Sequence, residues 1–107
     1  MDSRQLYIGA KHLHSKLRWE EDWIHFGTGG NLNYPLVKRL VSDFLDSKEI
    51  KFVYKRTNSG VFEYSQIFSI IKELLGKSNF ELWNDTMERA IQFHKIGVLC
   101  KGEKQKP

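Results

Sequence analysis

The chain is expected to fold in the α+β class: a compact single domain with a small, mostly antiparallel sheet and a basic hairpin packed against three or four helices. Three observations predict this. Ile50, Phe52 and Tyr54 recur at a period of two, with Lys51 and Lys55 on the opposite face, before Asn58-Ser59-Gly60 turns the chain toward Val61–Tyr64. Leu36, Val37, Leu40, Val41 and Phe44 form an apolar stripe at helical spacing. The 107 residues, 40% of them hydrophobic, suffice for one core and leave no room for a second.

Taken in order, Leu6, Ala10, Leu13 and Leu17 predict a helix over residues 4–18, with Ser3 as a cap and Gly9 as a weak point. Trp23–Phe26 reads as a brief strand running into the loop Gly27-Thr28-Gly29-Gly30-Asn31. The clearest helix spans Pro35 to about Ser47, with Asn33 as its cap and Pro35 in the first turn, where a missing amide proton costs nothing. The hairpin follows, its loop expected at three to five residues. Ser65 is the expected cap of a helix over Gln66–Leu75, which Gly76 stops. Phe80–Trp83 predicts a strand. Asp85 and Glu88 fit a capping box, with Met87, Ala90 and Ile91 inward on a short helix to about Phe93. Ile96–Cys100 predicts the last strand. The domain is therefore expected over residues 1–100, and residues 101–107, which carry no large apolar side chain, are expected to fray as a flexible tail.

Lys and Arg total 17 against 13 Asp and Glu, a net charge of +4. The excess is uneven: residues 1–19 and 36–60 are positive, whereas 20–35 is negative through Glu20, Glu21 and Asp22. This suits an acidic protein partner or nucleic acid. The single cysteine, Cys100, excludes an internal disulfide and reads as a buried thiol in an apolar run. No segment reaches the roughly 18 apolar residues of a membrane span, and the start lacks a signal-peptide core, so a cytoplasmic location with no membrane association is the default expectation.

Four constellations invite a functional reading. Thr28, Gly29, Gly30 and Asn31 could bring backbone amides onto an anion ahead of a helix, although neither the Walker pattern nor the dinucleotide fingerprint is present, and a connecting loop is the plainer reading. Lys51, Lys55 and Arg56 could lay a basic hairpin on nucleic-acid phosphates; lysines also guard an exposed strand edge. Trp19 and Trp23, four residues apart and flanked by charge, suit aromatic anchors on a partner surface, and equally a core corner. His12 or His14, His25 and Lys55 could support metal-free phosphodiester chemistry, and Glu81 and Asp85 place carboxylates beside Trp83.

No metal site and no cofactor are expected, and no catalytic set stands out. The leading expectation is a small non-enzymatic domain, with Trp19, Trp23, Lys55 and Arg56 as partner-binding residues, that regulates or neutralises a protein partner by covering its surface. A nucleic-acid-binding domain is the first alternative and a small hydrolase or ribonuclease the second. The oligomeric state is left open.

Overall fold

The computed structural model describes residues 2–27 and 31–104. Its elements are α1 (Ser3–His14), β1 (Leu17–Trp19), β2 (Ile24–His25), α2 (Tyr34–Leu40), β3 (Glu49–Val53), β4 (Gly60–Glu63), α3 (Tyr64–Leu74), β5 (Phe80–Trp83), β6 (Arg89–His94) and β7 (Val98–Lys104). The α2 helix widens into π geometry over Val41–Leu45 and ends at Asp46 in the left-handed region. The α+β class holds. Among the described residues the sheet is larger than the small one expected, with seven strands, all antiparallel, and the helices number three.

The strands run in the order β1-β7-β6-β5-β3-β4, and β2 also pairs with β7. β1 takes the end of β7 (Trp19 opposite Gly102) and β2 its beginning (Ile24 opposite Leu99). The two short strands thus act as one interrupted edge. The Glu20 amide keeps pairing into the break by donating to the Lys101 carbonyl at 2.9 Å.

Side-chain alternation divides the core between the two faces of the sheet. Ile50, Phe52, Phe80, Leu82, Ile91, Phe93 and Leu99 pack under Val37, Val41, Leu45, Ile67, Ile71 and Leu75 from α2, its π extension and α3. Val53, Trp83 and Ala90, their neighbours in register, face Leu6 and Ala10 of α1. Trp83 is wholly buried there. Burying so large a ring stabilises the α1 face by several kcal/mol, on the order of the 3–5 kcal/mol that its truncation costs in other cores.

Local chemistry sets the boundaries. Asp2, not Ser3, caps α1, in a reciprocal box with Gln5. Asn33 caps α2, with its side chain accepting from the Leu36 amide. α3 starts one residue before the expected Ser65 cap, and the Gln66 side chain accepts from the Glu63 amide. Gly76 stops the chain after α3 at a φ of +77°. The hairpin loop is longer than expected, because Phe52 opposite Gly60 is its innermost pair. Ser3 ties this loop to α1: its Oγ donates to the Arg56 carbonyl at 2.8 Å and accepts from the Ser59 amide at 2.9 Å.

Three further expectations are corrected. The helix expected over residues 4–18 ends at His14, and Leu17–Trp19 pair with β7 as a strand. The helix over 85–93 is instead a turn followed by β6. Asn84 Oδ1 accepts from the Glu88 and Arg89 amides, and Met87 takes a φ of +59°, which a helix does not allow. Ala90 and Ile91 bury toward opposite faces, which only a strand permits. The tail does not begin at Lys101 either. β7 continues through Lys104, pairing with β6 on one side and β1 on the other. A strand clasped on both sides takes its stability from backbone pairing and needs little apolar content of its own.

Gly102 carries the tightest packing on β7. A Cβ there would lie 2.6 Å from the Trp19 ring. Gly102→Ala is expected to destabilise the fold by about 1–3 kcal/mol through overpacking. Urea denaturation checks this; an unchanged midpoint would contradict the Trp19 placement.

Candidate functional site

The site is built from the α1 face outward. The polar residues that alternate with the buried ones line up across adjacent strands: Glu81 of β5 lies opposite Gln92 of β6, which lies opposite Cys100 of β7. The last turn of α1 places His14 over this row. His14 Nε2 lies 3.4 Å from Glu81 Oε2 and 3.4 Å from Gln92 Oε1. Trp83 Nε1 donates to the other Glu81 oxygen at 3.1 Å. The Cys100 thiol donates to the Glu20 carbonyl at 3.0 Å.

Trp19 fixes His14 in place. Its ring lies against Gly102, its Nε1 donates to the His14 carbonyl at 2.9 Å, and the two rings are 4.6 Å apart. The indole therefore holds the end of α1 and packs against the imidazole.

Beside this row a cleft of about 380 Å³ opens between α1 and the ends of β5 and β6. Tyr7, Lys11 and His14 line it from α1, and Tyr54, Asn79, Glu81, Gln92 and His94 from the hairpin and sheet. Burial holds the Glu81 carboxyl above its ordinary value, and the Trp83 hydrogen bond and the His14 charge only partly offset this. Burial likewise raises the Cys100 thiol, which disfavours the thiolate and with it nucleophilic chemistry.

The cleft brings together residues that the sequence leaves scattered. His14 and His94 share it, whereas His12 and His25 are exposed and line no part of it. Trp19 and Trp23 do not form a helical pair. Trp19 is half-buried, while Trp23 is 45% exposed and meets His94 edge-on at 5.0 Å between ring centroids. Lys55 and Arg56 are exposed, with the Lys55 ammonium 5.1 Å from the centre of the Tyr54 ring. Lys51 is engaged: its Nζ donates to the Asp85 carbonyl at 2.7 Å. Of the glycine-loop candidates, Asn31 is exposed, and Thr28, Gly29 and Gly30 lie outside the described residues.

Glu81 was accessible to sequence reasoning as a carboxylate two residues from a tryptophan on one strand face. Gln92 was hidden by the helical reading of its segment. Among the described residues, no three His, Cys, Asp or Glu side chains converge to hold a metal ion, and no helix is long and apolar enough to cross a membrane. A second groove near Trp19 is lined by charged residues of both signs, among which Lys101 pairs with Glu20 at 3.5 Å, while Glu103 pairs with Arg89 outside the lining at 3.3 Å.

Comparison of the chain with protein-family models, with curated proteins and with solved structures found no match. The fold and the cleft therefore carry the functional reading alone.

The raised Glu81 value has a pH consequence. A carboxyl that binds its proton more tightly when folded contributes most to stability below its ordinary value near 4.5, and that contribution falls as pH rises through the raised value. Glu81→Gln removes the titration. The stability of this variant relative to the parent is expected to climb as pH rises above the ordinary carboxyl value and to level off once the pH has passed the raised one. Urea midpoints across that range check it; a difference independent of pH would contradict the buried-carboxylate assignment.

Proposed function

We propose that this chain is a non-enzymatic recognition protein that engages a protein partner at the mouth of the α1 cleft and acts by covering the partner's surface. The observation that carries the reading is Trp23. Its side chain is 45% exposed and meets a cleft-lining histidine edge-on. A large aromatic side chain held rigid at the rim of a concavity loses little entropy on binding and buries much apolar area. Ile96, two residues beyond His94 in the turn before β7, is a second exposed apolar side chain, at 66%. The net charge of +4 favours encounter with an acidic partner. Trp19, packed against Gly102, supports the cleft from behind and leaves Trp23 as the anchor.

The chemical groups inside the cleft also favour recognition over turnover. Glu81, His14, Gln92 and Trp83 are tied to one another. The nucleic-acid alternative retains Lys55 and Arg56 and is weakened by the engagement of Lys51. The hydrolase alternative keeps one specific support, the His14–Glu81 contact in a cleft that also holds Lys11 and His94, which meets its need for a histidine and a second polar group in one place.

A photo-crosslinking residue introduced at position 23, at 56 and at 72 tests the reading in cells of the protein's own source. A discrete protein adduct is expected at 23 and none at 56 or 72, and nuclease treatment should leave it intact. An adduct at 56 that nuclease abolishes would move the basic hairpin to the front; no protein adduct at 23 would overturn the proposal.

A further inference from the structure

The cleft has room for a ligand of its own beneath the Trp23 rim. At about 380 Å³ it lies near the lower end of small-molecule sites, which run from roughly 300 to 1,000 Å³. This is space for one compact molecule.

Charge selects the sign of that molecule. Among the described residues the one carboxylate in the lining is Glu81, and each of its oxygens faces a partner, Trp83 Nε1 on one and His14 Nε2 on the other. Lys11, by contrast, has no carboxylate within 4.0 Å among the described residues. Its ammonium stands 5.9 Å from the centre of the Tyr7 ring. Lys55 stands in the same relation to Tyr54, so each of the two tyrosines lining the cleft carries an ammonium beside its ring. The uncompensated charge at the cleft is positive, and a lysine ammonium meets an anionic oxygen as a point charge.

Shape and hydrogen bonding narrow the class. Tyr7 and Tyr54 are half-buried, which leaves aromatic surface at the cleft wall. Asn79 uses its side-chain oxygen to accept from the Lys95 amide at 2.8 Å, so its two amide hydrogens remain as donors beside the cleft. His94 adds a ring nitrogen pair beside Asn79, since Phe80 opposite Phe93 brings the two residues to the same end of β5 and β6. A flat aromatic surface with side-chain donors at its edge and a cation alongside matches a nucleobase joined to a phosphate. A simple dicarboxylate would satisfy the lysine and leave the tyrosines and amides without a role.

We infer that the α1 cleft binds a nucleoside monophosphate, with the phosphate at Lys11 and the base against the tyrosines and the Asn79 amide. This inference stands apart from the partner reading, because it concerns the interior of the cleft and not its rim.

Calorimetric titration of the full chain tests it, using the four common ribonucleoside monophosphates, the matching nucleosides, inorganic phosphate and succinate as probes. Saturable binding of at least one monophosphate is expected. The matching nucleoside should bind about tenfold more weakly or worse, as should the nucleotide to Lys11→Ala, since each loses a charge-assisted contact. Lys72→Ala, exposed on α3, should bind as the parent does. Lys11 is exposed and alanine favours helix, so the fold survives the substitution. Absence of saturation with all four nucleotides, equal affinity for nucleoside and nucleotide, equal affinity for phosphate or succinate, or an unchanged Lys11→Ala variant would each overturn the inference. A persisting crosslink at position 23 in that case leaves the partner reading standing, and nucleotide binding without the crosslink does the reverse.

Discussion

The structure depends on β7 being paired along its whole length. It joins β6 on one side and both β1 and β2 on the other, so these two short strands enter the sheet through it. α1 ends at His14, and β1 begins its pairing three residues later, at Leu17. The position of α1 over Trp83 is accordingly set at one end by β1 on β7 and at the other by Ser3 on the hairpin loop. Between these ties lie Leu6 and Ala10, whose burial holds the helix to the sheet face.

That constraint places the polar chemistry. Because Trp19 lies opposite Gly102, its indole has a flat backbone surface to rest on and reaches the His14 carbonyl. His14 then stands over Glu81 and Gln92. A larger residue on β7 at this point would lift the indole and with it the end of α1. The cleft is thus a consequence of strand register: the same alternation that buries Trp83 presents Glu81, and the same pairing that aligns Glu81 with Gln92 aligns Gln92 with Cys100. The polar row carries no unsatisfied buried side-chain atom among the described residues, which makes it compatible with a well-packed face.

Much of the fold was legible because local rules agreed with the tertiary structure. The Leu36–Phe44 stripe, the Asn33 cap, the Ile50–Phe52 alternation, the stop at Gly76 and the Phe80–Trp83 strand all carry their signal within a few residues. The segment 85–94 misled because Met87, Ala90 and Ile91 mimic a helical stripe, while the decisive group, the Asn84 side chain closing the turn, acts through backbone amides. Residues 101–104 misled because their order comes from strand partners far away in the chain, and no property of Lys-Gly-Glu-Lys announces them. The candidate site was legible only in part. Glu81 beside Trp83 follows from period two, but the His14–Gln92 contact joins residues 78 apart, and no spacing rule reaches that far.

The most direct measurement is hydrogen exchange of the backbone amides from Leu99 to Glu103 in the full-length protein. The account predicts protection in this stretch comparable to that of β6, because its amides lie within a paired strand. Exchange from Lys101 onward at the rate of an unstructured chain would contradict it, and with it the seat of Trp19, the placement of α1 and the cleft.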